Sequence, residues 1–441
     1  MTDYNELVRR LIGRWPENRV APSLTRIAAV MELLGDPQHA VPVIQVAGTN
    51  GKGSTAIMIE ALLRSAGLRV GRFASPHLSE PTERINIDGE AISKERFVEV
   101  WEEIEPLVAM VDERRLDGVA LTFFEVITAM AYAAFADAPV DVAVVEVGLG
   151  GSWDATSVCE PAVAVVCPVG LDHTHILGDT LAEVAAEKAG IIKPGCKAVL
   201  AGQEPEAAKV LLGRAVEVGA PITVEGPDFS LLERQLAVGG QLLRLEGAGG
   251  PIGDVFLPLH GEHMARNAAL AMAAVEAFLG GKPLAPEVLS EGFAEVKAPA
   301  RLELVRSSPA FVVDTAHNPQ AARVCMDGVA EAYGFEPLIG VVAMMRDKDT
   351  AGVLQIFAEQ LAEVIITTAS GSPRALPPAE LAGIANEIWG PERVHVAETM
   401  PAALDRAAAL ADAAGPGAGV LVAGSLIAAG EARDLLVAQE L

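Results

Sequence analysis

Apolar positions in this chain fall into short β-rich runs separated by longer stretches of helical spacing. Leu7, Leu11, Ile27, Val30 and Leu33 recur at helical intervals, so the first ~40 residues read as helical. The pattern then changes. Residues 43–47 form a β-rich run followed by a Gly-rich loop, and 54–66 read as a helix stopped at Gly67. Residues 68–73 predict the next strand, 123–135 a helix, and 142–147 and 163–167 two buried strands. Thr180-x-x-Glu183 is a capping box opening a helix that runs to Gly190. Residues 198–201 and 222–224 continue the alternation.

Strand and helix alternating through short connections predict a parallel sheet covered by helices on both faces. Residues 228–258 break the pattern, and Gly239-Gly240 suggests a hairpin-like insertion or sheet edge. The helix after His263 closes the first unit, and residues 297–300 read as a linker. A second series of strands is predicted at 311–313, 338–344, 364–368, 394–396 and 420–422. The expected fold class is therefore α/β. A mostly parallel-sheet domain over 1–296 precedes a smaller Rossmann-like α/β domain over 301–441. No solenoid-length repeat and no low-complexity tract is apparent.

Composition narrows the function. The chain has 441 residues, enough for two or three domains. Its 33 basic and 59 acidic side chains give a formal charge of −26. Such a surface repels nucleic acid and anionic membranes, so neither is an expected partner. Any anion site must then be locally basic or metal-assisted. Cys159, Cys167, Cys196 and Cys325 show no C-x-x-C spacing, which predicts neither disulfides nor a zinc site and favours a reducing cytoplasm. Residues 1–20 are charged and interrupted by Gly13 and Pro16, unlike a signal peptide, and no membrane span is expected.

The strongest chemical signal is Gly48-Thr49-Asn50-Gly51-Lys52-Gly53-Ser54-Thr55, lying between an apolar strand and a helix start. Glycines let successive N–H groups curl toward a phosphate, and the helix N-terminus adds partial positive charge. Lys52 can reach terminal phosphates, and Ser54 or Thr55 can offer a hydroxyl to Mg²⁺. The strict G-x-x-x-x-G-K-S/T pattern fails, because Val46 occupies its first Gly position and Gly53 intervenes before Ser54. Thr49 to Thr55 are nonetheless the ATP-loop candidates, making the first domain P-loop ATPase-like. Glu146 ends an apolar strand and precedes Gly148, Gly150 and Gly151, as a Mg²⁺-holding acid would. The competing reading is a solvent-facing strand-end acid.

The loop variant resembles that of the Mur ligase superfamily, specifically its folylpolyglutamate synthase and dihydrofolate synthase branch. Further segments follow in family order: Ser75-Pro76-His77-Leu78, Glu83-Arg84-Ile85, Glu146 to Gly151, Asp154-Ala155-Thr156, Asp172-His173-Thr174 and Glu187-Lys188-Ala189-Gly190. Asp314-Thr315-Ala316-His317-Asn318-Pro319, Asp347-Lys348-Asp349 and Gly424-Ser425 complete the series, which spans about residues 20 to 433. The resemblance implies that Ser75, Glu146 and His173 hold a second Mg²⁺. It also implies a carbamylated Lys188, where the bland reading is a solvated helix-terminal lysine. Asn267, Arg301, Asp314 and His317 become nucleotide contacts, although a plain Asn318-capped turn competes for the last two. Pro76, His77, Arg84 and Asp154 become substrate-binding candidates. The implied reaction joins L-glutamate to a folate or dihydropteroate carboxylate through an acyl phosphate, in a monomer whose domains close about residues 297–300.

Some positions depart from the family pattern. Ser152 replaces a basic residue, Ser157 an Asn, and Ala298 and Ala300 a Trp and a Gly. A paralogue using a non-folate acid, another Mur ligase, or a non-catalytic nucleotide-binding protein are the alternatives. Retention of Lys52, Glu146, His173 and Lys188 argues against the last.

Overall fold

A computed structural model describes residues 2–14, 21–370 and 372–440. Part of the helical N-terminal reading, including Pro16, lies outside the described residues. The first sheet has eight strands: β1 (Val43–Ala47), β2 (Val70–Phe73), β3 (Ile85–Ile87), β4 (Glu90–Ala91), β5 (Val142–Glu146), β6 (Val163–Val166), β7 (Lys197–Leu200) and β8 (Ile222–Val224). Their order is β4-β3-β2-β5-β1-β6-β7-β8. From β2 to β8 every neighbouring pair is parallel, and only β3 runs against the others, pairing antiparallel with both β2 and β4. β1 and β5 are buried along their whole length, as β-branched runs covered on both faces should be.

Register decides where the chemistry gathers. Val46 lies opposite Glu146 on one side and Val165 on the other, while Phe73 lies opposite Val145. The carboxyl ends of β2, β5, β1 and β6 are therefore adjacent. Glu146 ends β5, and the segments after β2, β1 and β6 carry Ser75, the Gly48 loop and Asp172-His173. Ligands in open α/β sheets bind at this end. The sheet is packed by two clusters. One joins Leu7, Ile27, Phe97, Trp101 and Phe135, and the other joins Val166, Val184, Ile191, Leu200 and Leu211.

Residues 228–258 hold a three-stranded sheet of β9 (Ser230–Ala237), β10 (Gly240–Gly247) and β11 (Gly250–Leu257), joined by two-residue turns. The last sheet contains β12 (Glu303–Ser307), β13 (Ala310–Val313), β14 (Leu338–Val342), β15 (Leu361–Ile366), β16 (Val394–Val396) and β17 (Gly419–Ala423). Its order is β12-β13-β17-β14-β15-β16, parallel except for the edge strand β12. The α/β reading holds, with antiparallel edges that periodicity did not reveal.

The chain forms two compact units. One comprises residues up to Gln235 together with Leu242–Pro258 and Met264–Val296; the other comprises Leu236–Gln241, Leu259–His263 and everything from Lys297. All four cysteines are buried free thiols. Among the described residues no helix is long and apolar enough to cross a membrane.

Candidate active site

The phosphate-type loop is built by close approaches that only glycine permits. Gly48 has φ +147°, and a Cβ there would lie 2.6 Å from the Cβ of Cys167. Gly51 has φ +88°, and a Cβ would lie 2.9 Å from Asn267 Oδ1. Thr49 fastens the loop to the segment after β6: its N–H donates to Pro168 O (3.0 Å), and its hydroxyl bonds both Gly170 O and Gly170 N (2.9 Å each). The helix Lys52–Ser65 begins at once, so its first N–H groups follow the loop. Lys52 Nζ donates to Gly48 O (3.1 Å) and Thr49 O (3.2 Å).

Of the two hydroxyls here, Ser54 is the expected metal ligand and Thr55 an expected ATP-loop contact. Thr55 is wholly buried and its Oγ1 takes the Cys167 thiol at 3.5 Å. Ser54, one residue earlier, is 4% exposed. The Glu146 carboxylate lies 3.6 Å from where a Cβ on Gly53 would stand, so it faces the helix's first turn. Glu146 also accepts the Ser75 N–H at 3.1 Å. It is 4% exposed, which removes the solvent-facing reading.

Lys188 is the largest departure from its bland alternative. It is 4% exposed, and its Nζ donates to Gly48 O at 2.9 Å. The helix Leu181–Ala189 opens with the expected capping box. Its end presses on the 148–152 loop so closely that a side-chain carbon on Gly151 would overlap Glu187 O, and one on Gly190 would overlap Ser152. Burial, with Lys52 nearby, pulls the Lys188 amine down to about 7, against the opposing charge of Asp172. His173 sits at φ +51° ahead of the short helix Thr174–Leu177 and donates its backbone N–H to Asp172 Oδ1 (2.8 Å).

Among the described residues no three His, Cys, Asp or Glu side chains cluster as a protein-only metal cage. The donor set of Glu146 with the hydroxyls of Ser54 and Ser75, and His173 beyond, suits Mg²⁺. That ion keeps several waters and takes phosphate oxygens alongside one or two carboxylates.

The substrate candidates divide in two. Arg84 is buried and donates Nε–H to His77 Nδ1 at 2.8 Å, with its guanidinium 5.1 Å from the Phe123 ring centre. Burial and Arg84 hold His77 down at about 3, so its imidazole is neutral with the proton on Nε2. Asp154 is instead spent inside the protein. It accepts from Leu149 N (3.0 Å), Thr156 N (2.9 Å) and the Thr156 hydroxyl, bracing the glycine loop rather than facing it outward. Phe124 went unnoticed in the sequence. Its half-buried ring fills the space a Cβ on Gly148 would need and lies 5.8 Å from Phe73. No local signal marks that contact, since 24 residues separate the partners.

In the second unit Asp314 directly follows β13 and is 8% exposed. It accepts Leu302 N (2.9 Å) and Ala316 N (2.8 Å), and burial raises its pKa against the pull of Arg301. His317 Nδ1 lies 2.8 Å from Thr315 O, a carbonyl that can only accept, so Nδ1 carries a proton. Asn318 caps the helix Pro319–Ala332 by accepting Ala321 N at 2.8 Å, so the capping turn and the Asp314-His317 presentation coexist. Asp347 and Arg374 pair with each other (2.8–3.2 Å).

The Mur ligase middle domain matches residues 46–275, and the Mur ligase glutamate ligase domain matches residues 300–426. The chain is 47% identical to the dihydrofolate synthase/folylpolyglutamate synthase of Mycobacterium tuberculosis, over 96% of this chain and 91% of that protein. It belongs to the folylpolyglutamate and dihydrofolate synthase family of Mur ligases. The fold agrees. A Mycobacterium tuberculosis folylpolyglutamate synthase complexed with ADP superposes with TM-score 0.94 at 46% identity, covering 98% of each chain. A family member in complex with AMPPCP and folate superposes with TM-score 0.85 at 30% identity, covering 99% of this chain and 100% of that one. Ala300, where the family resemblance leads one to expect glycine, has φ +53°.

Proposed function

We propose that this chain uses ATP to join L-glutamate to a folate-type carboxylate, acting on dihydropteroate, on reduced folates, or on both. The observation that carries this is the convergence of the Gly48 loop, Lys52, Ser54, Glu146 and Lys188 at the carboxyl edge of one sheet, in a chain of this family.

The acceptor carboxylate attacks the γ-phosphorus of ATP, the bond to the β-phosphate oxygen breaks, and an acyl phosphate and ADP result. The glutamate amine then adds to the acyl carbon, and phosphate leaves from the tetrahedral adduct. Loop N–H groups and Lys52 hold and neutralise the phosphates as negative charge shifts. Thr49, Asn50, Gly51 and Gly53 shape that loop, and Asn267 lies against it at Gly51. Ser54 with Glu146 would hold one Mg²⁺, and Ser75, Glu146 and His173 a second; bound there, such ions would supply positive charge to phosphate oxygens. In the second unit Arg301, Asp314 and His317 are assigned nucleotide contacts. His77, kept neutral, offers Nε2–H to the acceptor, with Pro76 and Arg84 beside it and the Phe124 ring as a flat apolar surface for an aromatic ring system.

A lysine titrating at about 7 is substantially neutral at physiological pH, as addition to CO2 requires. Carbamylation would turn the Lys188 amine into an anion beside the Gly48 loop. The acidic surface favours small-molecule substrates over nucleic acid or membranes, and we assign a cytoplasmic monomer.

The test is phosphate release from MgATP with glutamate plus either dihydropteroate or a reduced folate monoglutamate, with mass spectrometry of the products. A glutamate added to either acceptor is expected. ATP binding without product from both would leave the ligase scaffold and remove the folate assignment.

A further inference from the structure

Arg301 is presented by an unusual stretch of backbone. Ala300 has φ +53° and Leu302 φ +49°, so two L-residues in left-handed conformation flank it. Such residues persist only where their surroundings over-determine them. Here the surroundings are specific. Glu303 Oε2 accepts the Ala300 N–H at 2.7 Å. The same oxygen takes Arg433 Nε at 2.7 Å, while Oε1 takes Arg433 Nη2 at 3.0 Å. Leu302 is held at both ends of its backbone, with its N–H on Asp314 Oδ2 (2.9 Å) and its carbonyl accepting the Tyr333 hydroxyl (2.7 Å). Burial, with Glu303 and Asp314 nearby, pushes the Tyr333 phenol up to about 12, so it stays a donor. The Leu302 side chain is buried against Gly328.

We infer that Glu303, Arg433 and Tyr333 are positioning residues for nucleotide binding, acting through Arg301; this rests on the assignment of Arg301 as a nucleotide contact. Arg433 belongs to the last helix, Leu426–Glu440, 130 residues from Glu303 in sequence. Its fork fixes both carboxylate oxygens of Glu303 and so fixes the rotamer that reaches Ala300 N–H. Without that fork Glu303 is free to turn away. Ala300 then relaxes toward ordinary φ, and Arg301 turns with it. Tyr333 does the same for Leu302 from the other side.

The test is a cycle of Arg301→Met and Arg433→Met in the full chain, with the Kd for MgAMPPCP measured by calorimetry and KM for glutamate measured in parallel. Arg433→Met is expected to weaken AMPPCP binding about tenfold, with KM for glutamate unchanged. The double variant should bind no more weakly than Arg301→Met alone. Arg433→Lys keeps charge without the fork and should recover only part of the loss. Additive losses in the double variant, or unchanged binding by Arg433→Met while Arg301→Met is weak, would overturn the positioning role alone. Wild-type binding by Arg301→Met would remove the nucleotide role of Arg301, and this inference with it. If Arg433→Met does not fold, Tyr333→Phe, which loses one hydroxyl and keeps its ring, replaces it in the same cycle with the same outcomes.

Discussion

A single amine shows how this fold changes the chemistry of a common side chain. Lys188 ends a capped helix, where a lysine ordinarily stays solvated and charged. Packing of that helix on the 148–152 loop buries it instead, and its pKa falls from 10.5 to about 7. The consequence for stability has a definite sign. Between about pH 7 and 10.5 the unfolded chain holds a proton on Lys188 that the folded chain does not. Stability from this group therefore rises with pH through that window. In CO2-free buffer the urea midpoint should climb from pH 7 to pH 9, and Lys188→Met should flatten the climb. A rise of equal size in the variant would exclude the buried amine as its source. Activity should follow the same residue differently. Restoring bicarbonate should raise wild-type turnover, and carbon-13 bicarbonate should give a carbamate resonance that Lys188→Met lacks. Lys52 makes a simpler case, since its proposed role is to neutralise phosphate charge. Lys52→Met should lower turnover about a hundredfold or more while leaving the urea midpoint close to wild type.

Elements meet here at distances that leave no room for a side chain, and that makes loop shape testable. Gly48 touches Cys167 across the β1–β6 boundary, so Gly48→Ala forces both strand ends apart as well as straining φ. Overpacking of this kind costs about 1–3 kcal/mol, and phosphate release should fall with it. Removing the opposing Cβ by Cys167→Gly should restore part of the turnover; no recovery would place the damage in backbone strain alone. The same contacts explain what the sequence could and could not disclose. Strands 43–47, 222–224 and 394–396 stand where periodicity put them, because each is a short run rich in Val, Ile or Thr with turn signals beside it. β3, β4 and β12 are short antiparallel edges, and their strand character comes from a neighbour rather than from local pattern. The loop, the acid and the lysine could be named from motif order. The burial of Lys188 and the Phe124–Gly148 contact arise only when distant segments pack. Ser157 shows the converse. Its departure from the family pattern is internal, since its hydroxyl donates to Gly151 O (2.6 Å) and accepts from the Gln45 amide (2.9 Å), so it touches no acceptor directly.

At the scale of the whole chain two compact units carry different parts of the proposed chemistry, the phosphate loop in one and Arg301, Asp314 and His317 in the other. A ligand that binds the folded state stabilises whatever it touches, by about 2.7 kcal/mol at a hundred times its Kd. Units that unfold separately report this separately. Scanning calorimetry of the full chain with and without MgAMPPCP should therefore move the transition of each unit that contacts nucleotide. Both should move if the second unit's assignments are right. Arg301→Met should then abolish the shift of the second unit while preserving that of the first, and Lys52→Met should weaken the shift of the first. A second transition indifferent to nucleotide in the wild type would confine ATP recognition to the Gly48 loop. The charge of −26 adds a control on the same instrument. Long-range repulsion of an anionic ligand is screened within about 8 Å at physiological salt, so the shifts should grow as ionic strength rises from very low values. Shifts that shrink monotonically would mean that the local basic groups, Lys52 foremost, outweigh the acidic surface even at a distance.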